Sequence, residues 1–96
     1  MNSQTGKSII TLLNNINELI TISQDKKGAQ EVMRCVVRYS KDNSFTIPQE
    51  KIENFYRICL DSRPCVLSSL ISDIARDVQL EDRKKRIEDS KKKKSS

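Results

Sequence analysis

The sequence contains no histidine and no tryptophan, and only two glycines, two prolines, two tyrosines and two phenylalanines. Without histidine it lacks the side chain most often used for proton transfer at neutral pH and for metal ligation. The scarcity of glycine and proline, together with few alternating β-branched runs, argues against a sheet protein with many tight turns. No apolar run approaches the ~20 residues of a membrane-spanning helix. The start of the chain is polar and its first apolar segment is interrupted, which does not match a secretory leader. Cysteine is also sparse and odd in number: Cys35, Cys59 and Cys65. Three thiols without histidine fall short of a tetrahedral zinc set. Their positions on or beside helical apolar faces predict buried, free thiols in a reducing compartment, cytoplasm or nucleus, and a protein that is not secreted.

What is present is helical periodicity. The 96 residues make one small domain. Ile9, Leu12, Leu13, Ile16, Leu19 and Ile20 share one face of a first helix, and Val32, Met33, Val36, Val37 and Ser40 share one face of a second. The densest pattern follows. Ile52, Phe55, Tyr56, Cys59 and Leu60 form a third stripe; Thr46 and Gln49 offer a capping box, with Pro48 in the first turn. Ser62 is a candidate cap for the fourth helix, Pro64 lies in its first turn, and its stripe is Val66, Leu67, Leu70, Ile71, Ile74 and Val78. These patterns predict an all-α fold, a small bundle of about four helices near 8–23, 29–41, 48–61 and 64–79. The bundle domain would span 1–80, with a charged, basic, largely disordered tail over 81–96.

The fourth stripe covers roughly half the helix circumference, wider than a helix with one neighbour needs. Two explanations are open: a central helix of a monomer, or a helix buried by the bundle on one side and a partner chain on the other. The second makes Val66, Leu67, Leu70, Ile71, Ile74 and Val78 a candidate interface for a homodimer or a small helical partner.

Charge is unevenly placed. The formal net charge is +5, yet residues 1–80 hold ten Lys/Arg against nine Asp/Glu, while residues 81–96 hold eight against four. Two features could meet phosphate. On the second helix Lys27, Arg34, Arg38 and Lys41 fall within a band of about 60° and span about 20 Å along the axis. Glu31 lies at the edge of that ridge, and a solvated polar face would look similar. The tail carries Arg83, Lys84, Lys85 and Arg86, then Lys91, Lys92, Lys93 and Lys94. Such clusters serve nucleic-acid attraction or nuclear import, or simply keep a protein in solution.

Gly6-Lys7-Ser8 invites comparison with a phosphate-binding loop, but that motif needs a glycine where Met1 stands. No paired carboxylates or activated thiol suggest catalysis. The expected function is therefore non-catalytic, with no cofactor and no metal: association with duplex RNA or DNA through ridge and tail, or a protein–protein adaptor or inhibitor using the fourth helix.

Two short stretches resemble known families. Tyr39-Ser40-Lys41, Thr46-Ile47, Ile52 and Arg57-Ile58 are similar to the last loop and third helix of core histones. Arg63-Pro64-Cys65-Val66-Leu67-Ser68-Ser69-Leu70, with Leu80-Glu81-Asp82-Arg83 and Ile87-Glu88, resembles the small helical RNA-silencing suppressors of insect nodaviruses, which dimerise and lie along double-stranded RNA. Both resemblances imply helices that contact nucleic acid.

Overall fold

Four amphipathic stripes on one short chain must bury one another, and they do so as an up-down-up-down bundle. The computed structural model describes residues 4–95, with side chains described through Ile87. The helices are α1 (Thr5–Thr21), α2 (Lys26–Asp42), α3 (Gln49–Ile58) and α4 (Pro64–Ser95), with no strand among the described residues. α1 packs against both α2 and α4, and α3 against α4. Direction follows from the contacts at the ends. The start of α1 meets the far part of α4, where Gly6 abuts Asp82. Lys26, at the start of α2, donates to the carbonyls of Leu60 and Ser62 just past α3, at 3.3 and 2.7 Å.

The predicted stripes supply the core. Ile9, Leu13, Ile16 and Ile20 of α1 are completely buried, as are Met33 and Val36 of α2, Phe55 of α3 and Leu67, Ile74 and Val78 of α4. Ser40 also faces inward, its hydroxyl donating to the Val37 carbonyl at 2.8 Å. A buried hydroxyl without a partner would cost ~1–3 kcal/mol, so this local bond is what lets serine occupy a core position.

The ends of the helices depart from expectation in informative ways. α2 begins earlier than predicted because Asp25 caps it, its carboxylate accepting from the Gly28 amide at 2.9 Å. A Cβ on Gly28 would collide with that carboxylate, so glycine here serves the cap. Gly6, expected in a polar lead-in, is instead buried inside α1. The capping box from Thr46 to Gln49 does not form: Pro48 is the N-cap of α3 and no side chain bonds there. The reason lies just upstream, where Phe45 and Ile47 turn into the core and leave Thr46 facing solvent. α2 stops with Ser44 in the left-handed region, φ 53°, while the Phe45 amide donates back to the Ser40 carbonyl at 2.8 Å. That is the hydrogen-bond pattern of a Schellman cap with serine where glycine is usual.

α4 differs most. It continues through Ser95 where the periodicity predicted an end near 79, so the segment expected to leave the bundle as a tail prolongs a helix. No glycine or proline follows Pro64 to stop it. Asp82 and Arg86 pair across one turn at 3.1 Å. Lys85 reaches back to the bundle, donating to the Ser44 carbonyl and lying 5.2 Å from the centre of the Phe45 ring. The body therefore extends past the predicted boundary at 80. A helix of 32 residues spans about 48 Å at 1.5 Å per residue, close to the 51 Å long axis of the molecule.

Two stability experiments follow. Ile71 is 3% exposed inside the chain's own core, so Ile71→Asp should abolish cooperative urea unfolding rather than merely split an oligomer. Ser44→Gly should raise stability by ~0.5–1 kcal/mol by removing left-handed strain from a residue with a Cβ. An unchanged urea midpoint in Ser44→Gly would contradict the strain at this cap.

Candidate nucleic-acid interface

A row of cations contacts a polyanion only if the side chains remain exposed and are not already neutralised. Lys27, Arg34, Arg38 and Lys41 are all exposed on α2. Of the four, Arg34 is the one that pairs with a carboxylate among the described residues: its guanidinium lies 3.4 Å from the Glu31 carboxylate, with both side chains well exposed. Such a pair contributes little and is readily exchanged for a phosphate. The ridge is also one edge of a groove. Arg34, Arg38 and Lys41 line one wall of a depression of about 420 Å³ between α2 and α3; Val37, Ile52 and Tyr56 supply its apolar surface. Gln49 and Glu53 stand on the α3 side. Lys27 lies off the groove, nearer the start of α2.

The second basic cluster meets the ridge at one end of the bundle. The amide of Ser44 donates to the Lys41 carbonyl at 3.2 Å, and the Ser44 carbonyl accepts from Lys85. Hence the last turn of α2 and the 83–86 segment of α4 are neighbours, though they are separated by some forty positions in sequence. Arg83, Lys84 and Arg86 are exposed, whereas Lys85 is half-buried against Phe45 and serves to dock the helix. Lys91, Lys92, Lys93 and Lys94 lie where only the backbone is described.

The interface predicted on α4 is corrected by burial. Leu67, Ile71, Ile74 and Val78 are 3% exposed or less within the single chain. Leu70 is half-buried against the core, and of the six only Val66 is substantially open, at 47%. The stripe is wide because α4 packs on both α1 and α3 of its own chain. Apolar exposure lies elsewhere. Ile22 and Leu60 are exposed at the end formed by the α1–α2 and α3–α4 connections, and Leu80 and Ile87 on the outer side of α4. Leu60 was expected in the core stripe, but it lies in the turn beyond α3, where the helical register no longer holds.

The cysteines are corrected as well. All are free, but only Cys59 is buried; Cys35 and Cys65 are exposed. Burial pushes the Cys59 thiol above its ordinary 9.0, partly opposed by the nearby Lys26 charge. Burial likewise raises the Tyr56 phenol above its ordinary 10.0, against a lowering influence from Arg34. Tyr56 therefore meets any ligand as a neutral ring. Phe55, fully buried, packs against it edge-on, with centroids 6.1 Å apart and planes at 67°.

No group of three or more metal-ligating side chains occurs among the described residues. No helix there is long and apolar enough to cross a membrane. Comparison of the chain with protein-family models, with curated proteins and with solved structures finds no match. The site is therefore read from its own chemistry.

Thiol titration checks the burial pattern: Cys35 and Cys65 should react with a disulfide reagent within mixing time and Cys59 only on unfolding. Three fast thiols would contradict the core around Cys59. The raised Cys59 value also fixes a pH trend. Below pH 9 the thiol is protonated in both states and costs nothing. As pH rises above 9.0 the unfolded chain releases this proton first, so stability falls. Cys59→Ala should lower stability at neutral pH yet flatten this alkaline slope, read as urea midpoints across the range.

Proposed function

We propose that this chain is a non-catalytic helical protein that associates with nucleic acid through the α2 ridge and the basic part of α4. One observation carries the reading. The two basic clusters, distant in sequence, adjoin at the Lys41–Ser44–Lys85 junction. Among the described residues Lys27, Arg38, Lys41, Arg83 and Lys84 face solvent with no ion pair, while Arg34 and Arg86 pair with Glu31 and Asp82. A rigid helix holding Lys27, Arg34, Arg38 and Lys41 on one ridge fixes the spacing of the charges along a backbone. The 83–94 stretch of the sequence adds eight further cations along the continuation of α4. Phosphate contact of this kind is insensitive to sequence, and duplex RNA and duplex DNA both remain candidates. Free thiols, two of them exposed, favour a reducing intracellular compartment.

A second reading, a protein–protein adaptor, is favoured by the exposed Ile22 and Leu60 at the opposite end of the bundle. Self-association would have to use such exposed positions, or Val66, Leu80 and Ile87, rather than the buried part of the α4 stripe.

Anisotropy of a labelled blunt duplex tests the first reading. Four ridge contacts predict an affinity loss of roughly a hundredfold between about 50 and 200 mM salt. Arg34→Ala with Arg38→Ala should reduce the magnitude of the log–log salt slope by about two and leave the helical circular dichroism unchanged. Removing residues 88–96, which leaves the Lys85 anchor in place, should weaken binding to duplexes and single strands alike. No duplex binding at low salt would exclude this function and leave the adaptor reading.

A further inference from the structure

The groove between α2 and α3 has a chemistry that the ridge alone does not use. Its α2 wall carries three cations, Arg34, Arg38 and Lys41, and one acid, Asp42, at the end of the helix. Its apolar surface comes from the half-buried Val37 and the ring of Tyr56, over Ile52, which is only 2% exposed. Its α3 wall carries Gln49 and Glu53, an amide and a carboxylate at the rim. A phosphodiester duplex edge needs the first of these and gains nothing from the others. A ligand with a phosphate at one side, a flat apolar body and N–H donors at its far edge would use all three.

We infer that this groove takes one unpaired nucleotide of a single-stranded end or overhang: its phosphate on Arg34, Arg38 and Lys41, its base against the half-buried Val37 and Tyr56. The inference rests on the nucleic-acid reading and adds the substrate feature selected. Size agrees, since about 420 Å³ falls within the range of small-molecule sites and has no room for a paired helix. The aromatic ring has one side against the core: buried Phe55 meets Tyr56 edge-on, and Tyr56 itself is half-buried. Stacking on such a ring accepts any base, whereas the rim residues favour those that present amino or imino hydrogens toward Glu53.

Charge complementarity separates this occupant from an acidic peptide. Glu53 and Asp42 also line the groove, so its centre is not uniformly positive. A row of carboxylates laid along it would meet those two acids. A nucleotide carries a single negative group, for which the three α2 cations outweigh Asp42 on the same wall, and it turns a neutral base toward Glu53 on α3.

The test uses the full chain, with anisotropy of three labelled probes at low salt: a blunt duplex, the same duplex with a single-stranded overhang, and the single strand alone. Wild type should bind the overhang duplex about tenfold more tightly than the blunt one. Tyr56→Leu should erase that difference while leaving blunt-duplex affinity unchanged, and Tyr56→Phe should preserve it. Val37→Glu, which introduces a carboxylate at the groove surface, should also erase it and serves should Tyr56→Leu fail to fold. Equal affinity for blunt and overhang probes in wild type overturns the inference while the duplex reading stands. So does a preference that survives both Tyr56→Leu and Val37→Glu, or an acidic peptide that displaces the overhang as readily as a single strand does. Tyr56-dependent binding of single strands without any duplex binding would uphold the groove and overturn the duplex reading. Absence of binding to all three probes overturns both.

Discussion

Burial of α1 between α2 and α4 is the constraint on which the rest of the molecule depends. Its row of Ile9, Leu13, Ile16 and Ile20 has no solvent exposure at all. Leu12 and Leu19 pack beside that row. Truncating one such residue to alanine typically costs ~2–5 kcal/mol, a large fraction of the stability of a small domain. Because α1 fills the space between its two long neighbours, α3 is left to close the bundle from the remaining side. α3 is only ten residues long. It is anchored to α4 by Phe55 and by the 2.8 Å pair between Lys51 and Asp77, and the groove toward α2 stays open. The apolar groove surface is thus a consequence of unequal helix lengths rather than of a gap in the core.

Much of the fold was legible because each helix carries its own stripe, and a stripe needs no knowledge of the partner. The limits of the helices were harder to read. Glycine normally marks a left-handed helix end, but here Gln24 and Ser44 adopt that conformation, both with φ 53°. The real glycines lie inside helices, where they admit the Asp25 and Asp82 carboxylates. The end of α4 was obscured for a different reason. A charged run looks like a tail when scored for burial, yet pairing along the helix and a lysine packed over Phe45 extend the helix without new apolar surface.

The site was legible in the same partial way. The α2 ridge is a property of one helix, so spacing alone reveals it. The groove needs Ile52 and Tyr56 of α3 to stand beside Val37 of α2, a relation between elements that no single periodicity contains. Tyr56 fits a core stripe equally well, and its half-buried position serves both roles. The width of the α4 stripe misleads for the converse reason. It counts the neighbours of a helix correctly but does not say whether they belong to the same chain. Cys65 precedes the first buried residue of α4, Leu67, and Cys35 lies beside the basic face of α2, so neither thiol reaches the core that claims Cys59.

The arrangement also divides the molecule by chemistry along its long axis. At one end the α1–α2 and α3–α4 connections expose Ile22 and Leu60, and Lys26 is spent on the carbonyls of Leu60 and Ser62. At the other end the last turn of α2, the start of α1 and the 82–86 part of α4 converge, which brings Lys41 near the exposed Arg83 and Lys84. The cost of gathering like charges falls on the junction at Ser44. Lys85 is held over Phe45 while Arg83, Lys84 and Lys41 remain in solvent, where salt screens their repulsion over a Debye length of about 8 Å. A polyanion bound at the basic end would relieve that repulsion further, and would then favour the docking of α4 on the 43–47 segment. The docking and the charge cannot be separated, because the same helix supplies both.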